Sequence, residues 1–327
     1  MPVARFIENP LRIAAGLGLL LIACGAASAE EVTLKAAVFV PPSTTYGIPF
    51  KRFVDHVNET GKGVLQIRIV GGPEAVPADG QAQAVKSGVL DIASIPPAYY
   101  KSTMVEGDAQ VLTDMTIAEQ RKSGAYSLLS KIAGERMNAT YLTTYGVGVP
   151  FHLYLTKDMA VSKPEDLKGL RFRGQPNYTA VFKNFGIAGA NIAAPEVYTA
   201  LERGTVQGYG WPLWGINDFG WEKLTKTRID PGFYNVIVNI LINKTKYEGL
   251  GAEQRKVIDD AVTWFEVENE KYTADTTKTT LEMQDKQGIK VVDFGPAFRK
   301  TAVELYWDDL KKLSPDSMAT LQKLLTK

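Results

Sequence analysis

Residues 200–212 read ALERGTVQGYGWP, and residues 84–96 read AVKSGVLDIASIP. Aligned without a gap, both stretches contain the end of a helix, a glycine that stops it, a short strand and a proline. Two such units in one chain predict two lobes that are built alike. The same order of elements is also common in α/β proteins without internal repeats, and this alternative stays open. If the lobes are paired, the carboxyl ends of the two strands, Ser94–Ile95 and Gly210–Trp211, face one crevice.

Strand and helix patterns alternate along the rest of the chain, which indicates an α/β fold with mainly parallel strands. Two long β-rich runs, 139–155 and 233–243, enclose a second series of strands and helices. Such an arrangement indicates two lobes joined by crossing hinge strands. We expect these parts: lobe I at 30–150, lobe II at 151–239, and 240–327 returning to lobe I through a long helix at about 252–287.

The first 29 residues have the pattern of an export signal. Two arginines precede an apolar run at 13–24 that is too short for a comfortable membrane span, and Ala27-Ser28-Ala29 offers a cleavage site. We expect cleavage after Ala29 and an exported mature protein. LIAC at 21–24 also resembles a lipoprotein cleavage box with Cys24 acylated, and this alternative remains. Cys24 is the only cysteine, so cleavage after Ala29 leaves no thiol for a disulfide, for catalysis or for a metal.

Composition argues against several classes of function. The chain has 37 Lys and Arg residues against 36 Asp and Glu, and this balance gives no field that would attract nucleic acid. No P-loop, HExxH motif or nucleophile elbow occurs in the sequence. We therefore expect a protein that is not an enzyme and that holds no metal or other cofactor. A periplasmic hydrolase or isomerase is the alternative from another class, with His152 as its one attractive base.

A short strand, LRFRG at 170–174, carries the strongest candidate for binding chemistry. Arg173 lies at its carboxyl end, where a guanidinium can hold a carboxylate through two parallel hydrogen bonds. Each charge-assisted bond contributes about 1.5–3 kcal/mol when it is shielded from water. For Arg171, on the same strand, a surface salt bridge is the preferred interpretation.

KPEDLKGLRFR at 163–173 and PEVYTALERGTVQGYGWP at 195–212 resemble the solute-binding proteins of tripartite ATP-independent periplasmic (TRAP) transporters, of the dicarboxylate-binding (DctP) type. The resemblance extends over nearly the whole mature chain. It implies a two-lobed periplasmic binding protein, type II-like, that closes on an organic acid and delivers it to the membrane permease. The family's carboxylate-binding arginine falls on Arg173.

The block at 207–212 departs from the usual pattern of that family. Trp211 takes the position of an asparagine that contacts the ligand carboxylate, and Gly210 takes the position of an acidic residue. These changes argue against a simple dicarboxylate and against a cation that bridges ligand and protein. A branch of the family that resembles receptors for 2-oxo and 2-hydroxy acids also has tryptophan at the position of Trp211, so such an acid is the alternative ligand.

Aromatic side chains predominate among the residues that we expect near the crevice, and acidic ones are few. This composition suits a monocarboxylate with an aromatic or apolar body. The expected ligand-binding residues are Arg173, Trp211, Tyr46, Tyr99, Tyr100, Phe151, His152, Gln175 and Trp214. We expect Trp221 to be core packing at the end of a helix formed by GINDFGW, residues 215–221. We also expect a monomer that works with TRAP membrane permease subunits.

Overall fold

Two separate β-sheets, surrounded by helices, make up the part of the chain that the computed structural model describes, residues 31–327. The expected signal peptide, with its alternative processing sites at Ala29 and Cys24, lies outside these residues. No helix within 31–327 is both long enough and apolar enough to cross a membrane.

The described residues contain eleven strands and ten α-helices, with short 3₁₀ segments between them. The strands are β1 (Val32–Val38), β2 (Leu65–Gly71), β3 (Ile92–Ile95), β4 (Ala139–Tyr145), β5 (Phe151–Leu155), β6 (Arg171–Gly174), β7 (Ala188–Asn191), β8 (Gly208–Pro212), β9 (Thr227–Asp230), β10 (Val238–Asn243) and β11 (Lys290–Asp293). The helices are α1 (Ile48–Thr60), α2 (Ala78–Ser87), α3 (Ile117–Ser123), α4 (Ala125–Met137), α5 (Thr179–Asn184), α6 (Ala194–Glu202), α7 (Lys244–Glu248), α8 (Ala252–Lys286), α9 (Pro296–Leu313) and α10 (Pro315–Leu325).

The two sheets repeat one topology. The first has the order β2-β1-β3-β10-β4, and the second, read from its other edge, has the order β7-β6-β8-β5-β9-β11. In the first sheet β3 is parallel to β1 and antiparallel to β10. In the second, β8 is parallel to β6 and antiparallel to β5. The predicted α/β fold of two similar lobes is therefore confirmed, with β11 added to one edge of the second sheet.

The matching turns of the repeated unit are also alike in detail. After α2, Gly88 has φ 77°, and after α6, Gly204 has φ 66°. Leu90 N donates to Ala84 O at 3.1 Å, and Val206 N donates to Ala200 O at 3.4 Å. Glycine reaches this left-handed conformation without the cost that other residues meet, so it ends each helix and turns the chain into the strand.

The crossing between the sheets differs in one respect from the prediction. Residues 139–155 form two strands in different sheets, because Gly146 and Gly148 adopt φ of 88° and 84° and interrupt the extended chain. Residues 231–237 make the return crossing, and a bridge between Pro150 and Asn235 pairs the two crossing segments. The predicted crossing hinge strands are thus confirmed.

Helix α8 connects the two halves of the molecule along one side. Phe265 packs edge-on against Phe53 of α1 at 5.6 Å. Near its end, Gln284 donates to Leu213 O at 3.1 Å, next to the second sheet. The strand that follows, β11, pairs with β9 in the second sheet, so the chain after residue 240 contributes to both sheets.

The expected helix at 215–221 is wrong. Gly215 and Gly220 have φ of 87° and 72°, which no α-helix accommodates, and the stretch forms turns that lead into a short 3₁₀ segment at Trp221–Lys223. Trp221 itself is fully buried, in agreement with its expected packing role.

The glycine that ends α2 provides a test of the turn. We expect Gly88→Ala to lower the free energy of unfolding by about 1–2 kcal/mol, because alanine is strained at φ 77° while no neighbour would obstruct its methyl group. Gly80→Ala is the matched control, since Gly80 lies inside α2 with equally open surroundings and should gain about 0.5–1 kcal/mol. Urea denaturation measures both. Equal effects of the two substitutions would contradict this account.

Candidate functional site

Two adjoining cavities lie where the carboxyl ends of β3 and β8 approach each other. The outer one is a cleft of about 630 Å³, and the inner one is a pocket of about 40 Å³. Both are lined by residues from either side of the crossing, as the paired strands predict. The residues common to both cavities are Phe39, Ala98, Tyr99, Gln175 and Trp211.

Arg173 is the cationic group of the outer cleft, which Asp79 and Glu196 also line. Its position at the end of β6 leaves only 2% of the residue exposed. Nε donates to Ile192 O at 3.0 Å and Nη1 donates to Gly210 O at 3.1 Å, so two backbone carbonyls fix the plane of the guanidinium. Burial lowers the pKa of Arg173, but the guanidinium stays protonated, as arginine side chains do in proteins.

No carboxylate among residues 31–327 lies within 4 Å of this guanidinium, since Arg173 takes part in none of the ion pairs there. A buried charge without an ion-pair partner is costly, and this arrangement requires an explanation. Arg171, two residues earlier, is exposed and donates to Gly204 O at 3.3 Å, which differs from the expected surface salt bridge.

Trp211 forms the wall beside the arginine. The centre of its ring lies 5.1 Å from Cζ of Arg173, within the range of a cation–π contact. Trp221 and Phe219 hold the ring edge-on at 4.8 and 5.9 Å. Its Nε1 donates to Trp214 O at 2.9 Å, so the indole offers the cleft an apolar surface.

Tyr99 and Gln175 meet across the cleft. Gln175 follows β6 of the second sheet, and its Nε2 donates to the hydroxyl of Tyr99, which follows β3 of the first. Tyr46 and Phe151 line the inner pocket together with Phe39. Five of the expected residues in addition to Arg173 therefore line the cavities: Trp211, Tyr46, Tyr99, Phe151 and Gln175.

Tyr100 and Trp214, by contrast, do not line either cavity. Tyr100 ends the short 3₁₀ turn that follows β3, which directs its side chain away from that of Tyr99 and into the core, where its hydroxyl lies 2.9 Å from that of Tyr141. Trp214 stacks behind Tyr46 at 5.7 Å, and its Nε1 donates to Thr277 of α8 at 3.0 Å. Its role is to support Tyr46 and to join α8 to the loop after β8.

His152 also points away from the cleft, because successive residues of β5 face opposite sides of the sheet and Phe151 takes the cleft side. Its Nδ1 lies 3.0 Å from Asp230 Oδ1, and Arg228 holds the same carboxylate through two bonds of 2.8 and 3.0 Å. Burial alone would raise the pKa of Asp230, but the hydrogen bonds from His152 and Arg228 outweigh it and hold the pKa well below its usual value. His152 therefore belongs to a structural cluster and is no base for cleft chemistry.

A second contact across the molecule was not predicted. Thr45, after β1, donates its backbone N–H and its hydroxyl to the two carboxylate oxygens of Asp218 at 2.8 and 2.9 Å. Burial raises the pKa of Asp218, and the bonds from Thr45 oppose that rise. Asp218 lies in the glycine-bounded turns at 215–220, where a helix was expected, and this error hid its position. Asn177 and Asp108, which line the inner pocket, also gave no signal in the sequence.

Gly210 lies directly against the ring of Tyr178. A Cβ atom at this position would be 2.5 Å from Cζ of Tyr178, so the tyrosine fills the space that any side chain would need. Within residues 31–327 no group of three or more His, Cys, Asp and Glu side chains could hold a metal ion.

Comparison with known proteins gives concordant results. Residues 36–314 match the family DctP, "Bacterial extracellular solute-binding protein, family 7". A solute-binding protein of Verminephrobacter eiseniae is 26% identical over 277 residues, which cover 82% of this chain and 81% of that protein.

Two solved structures share the fold. One is a TRAP solute-binding protein from a marine metagenome, described as specific for aromatic acid ligands and solved in complex with 3-hydroxybenzoate. The match has a TM-score of 0.74 and 21% sequence identity, and it covers 90% of this chain and 98% of the marine protein. The other is DctP7, a Bordetella pertussis extracytoplasmic solute receptor that binds pyroglutamic acid, with a TM-score of 0.76, 16% identity and coverage of 90% and 99%.

The cluster around Asp230 predicts a dependence of stability on pH. Because its pKa is lowered in the folded protein, the carboxylate stabilises the fold above its unfolded pKa of 3.8, and this contribution is lost as the pH falls towards the folded value. We expect Asp230→Asn to cost about 1–3 kcal/mol at pH 7 and progressively less below pH 4.

Unfolding in urea at pH 7, 5 and 3 measures this difference. Asp158→Asn is the control, since Asp158 pairs with Lys290 at an exposed site and should change stability little at any pH. A penalty for Asp230→Asn that is the same at pH 3 as at pH 7 would show that the charge is not its source.

Proposed function

Because the chain belongs to the DctP family of extracytoplasmic solute receptors of TRAP transporters, we propose that its cleft binds an organic acid whose carboxylate is held by Arg173. The single observation that carries this proposal is the buried guanidinium, which lines the cleft and forms no ion pair with any of the described carboxylates. An entering carboxylate would supply a counter-charge and would meet the edge of the guanidinium whose N–H groups the two backbone carbonyls leave free.

The walls of the cleft support a monocarboxylate with an aromatic or apolar body. Trp211, Phe39 and Tyr99 provide rings where the two cavities meet, and Phe151 adds a ring in the inner pocket. Asp79 and Glu196 also line the outer cleft, but neither forms an ion pair with Arg173. The marine receptor described as specific for aromatic acids has the same fold, and so does the receptor for pyroglutamic acid. The proposed ligand class therefore rests on the residues of this chain, and a 2-oxo or 2-hydroxy acid is the alternative ligand.

Binding would be coupled to closure of two lobes, at 30–150 with most of 240–327 and at 151–239. The contacts Tyr99–Gln175 and Thr45–Asp218 join groups from the two sheets, and both border the cleft or its rim. They are suited to form when the lobes close and to separate when they open. The closed monomer, exported through the N-terminal signal, would then deliver its ligand to the membrane permease.

Substitution of the arginine tests the anchor. We expect Arg173→Met to weaken binding of carboxylates by at least about 30-fold, since it removes one partner of a buried charge pair. The empty protein should keep its melting temperature or gain slightly, because a buried charge without a partner is lost.

A thermal-shift screen of organic acids, which reports ligands of the folded state, selects the ligand, and isothermal titration calorimetry gives its affinity. Arg171→Met is the matched control and should bind as the unmodified protein does, because its side chain lies outside both cavities. Normal binding by Arg173→Met would refute the anchoring role.

Substitution of the tryptophan tests the ligand class. We expect Trp211→Leu to weaken benzoate more than pyruvate, by a further factor of about 2–12, because a ring–ring contact contributes about 0.5–1.5 kcal/mol beyond its buried area. Calorimetry with both acids provides the ratio, and circular dichroism verifies that the second core cluster, which includes Trp221, remains folded. Equal losses for the two acids would argue against stacking on Trp211.

A further inference from the structure

Three buried polar side chains around the inner pocket each have an atom without a hydrogen-bond partner. They are the hydroxyl of Tyr46, Oδ1 of Asp108 and Oδ1 of Asn177, and the three residues are 4%, 1% and 2% exposed. Buried polar atoms nearly always find partners in folded proteins, so three exceptions around one pocket of about 40 Å³ require a cause.

Asp108 is held firmly by its other oxygen. Oδ2 accepts from the hydroxyl of Tyr306 at 2.5 Å and lies 3.3 Å from Nζ of Lys101. Burial raises the pKa of Asp108, and the ammonium of Lys101 opposes that rise. The charge of the carboxylate is therefore already balanced, and its free oxygen suits a neutral donor better than a second cation.

Asn177 is linked in sequence to the anchoring residue. It lies in the 3₁₀ segment Pro176–Tyr178, directly after the strand that ends near Arg173. One short stretch of chain thus contributes the guanidinium of the outer cleft and an unpaired amide oxygen of the inner pocket.

Acceptors outnumber donors among these three unpartnered atoms. The hydroxyl of Tyr46 can donate or accept, whereas Oδ1 of Asp108 and Oδ1 of Asn177 can only accept. Pro96, Pro97 and Pro212 also line the pocket and have no N–H group, and Gln175 already donates to Tyr99. A bound molecule would therefore complete the set by donating a hydrogen bond.

We propose that the inner pocket is a subsite for a neutral hydroxyl group at the end of the ligand opposite its carboxylate. This inference rests on the proposed function and narrows its ligand class to hydroxylated aromatic carboxylates. The carboxylate lies at Arg173, the ring lies between Trp211 and Tyr99, and the hydroxyl donates to Asn177 or Asp108.

The experiment compares matched ligands on the full mature chain. Calorimetry is carried out with benzoate, 3-hydroxybenzoate and 4-hydroxybenzoate, and with 3-methoxybenzoate and 4-methoxybenzoate, which accept but cannot donate. We expect the better hydroxybenzoate to bind about tenfold more tightly than benzoate, because its hydroxyl gains a buried hydrogen bond that benzoate cannot make. The corresponding methoxybenzoate should lose this gain.

Two variants connect the gain to the subsite. Asn177→Leu keeps the approximate size of the side chain and removes the amide. We expect Asn177→Leu to bring the ratio of the hydroxybenzoate affinity to the benzoate affinity towards one. Benzoate itself should bind at least as well as it does to the unmodified protein. Arg173→Met should weaken benzoate and hydroxybenzoate by the same factor, because it acts at the other end of the ligand.

The two ideas fail in different ways. Equal binding of benzoate and both hydroxybenzoates by the unmodified protein would overturn the subsite, because water then satisfies the free atoms equally well, and it would leave the carboxylate anchor intact. Equal binding of a hydroxybenzoate and its methoxy counterpart would also overturn it. Binding by none of the carboxylates in a wider panel would overturn the proposed function itself.

Discussion

Two covalent crossings, at residues 146–150 and 231–237, are the constraint on which the rest of this structure depends. Each sheet takes one of its inner strands from the far side of a crossing: β10 lies between β3 and β4, and β5 lies between β8 and β9. The chain therefore passes between the two sheets at both crossings, and the first crossing contains two glycines with positive φ, Gly146 and Gly148. A pair of rigid sheets joined in this manner can rotate towards each other while each keeps its own hydrogen bonds.

The electrostatic arrangement of the cleft follows from that geometry. Strand β6 lies parallel to β8, so Arg173 lies within reach of the carbonyl of Gly210 and is fixed by it. Dipoles of carbonyl groups orient a guanidinium but do not neutralise it. The protein thus keeps a cationic group without an ion-pair partner in a buried place, as the proposed carboxylate anchor requires.

The sequence predicted the fold well because its signals are local. Glycines at 88 and 204 and the prolines after β3 and β8 mark where helices stop and strands end, and the period of two along LRFRG brought Arg173 to the end of its strand. The break at Gly146 and Gly148 was missed, since an apolar β-rich run looks continuous until the two glycines are known to turn. The residues Asn177, Asp108 and Asp218 were missed for another reason. Each has either an atom without a hydrogen-bond partner or a partner more than a hundred residues away in the sequence. The spacing of apolar and polar residues along the chain indicates neither property.

The contact between Gly210 and the ring of Tyr178 makes these two positions interdependent during evolution. A carboxylate cannot arise at 210 while an aromatic ring occupies the same space, and a smaller residue at 178 alone would leave a void beside the arginine. A descendant that acquires a carboxylate here must therefore change both residues together. Single substitutions at either position therefore pass through a less stable intermediate.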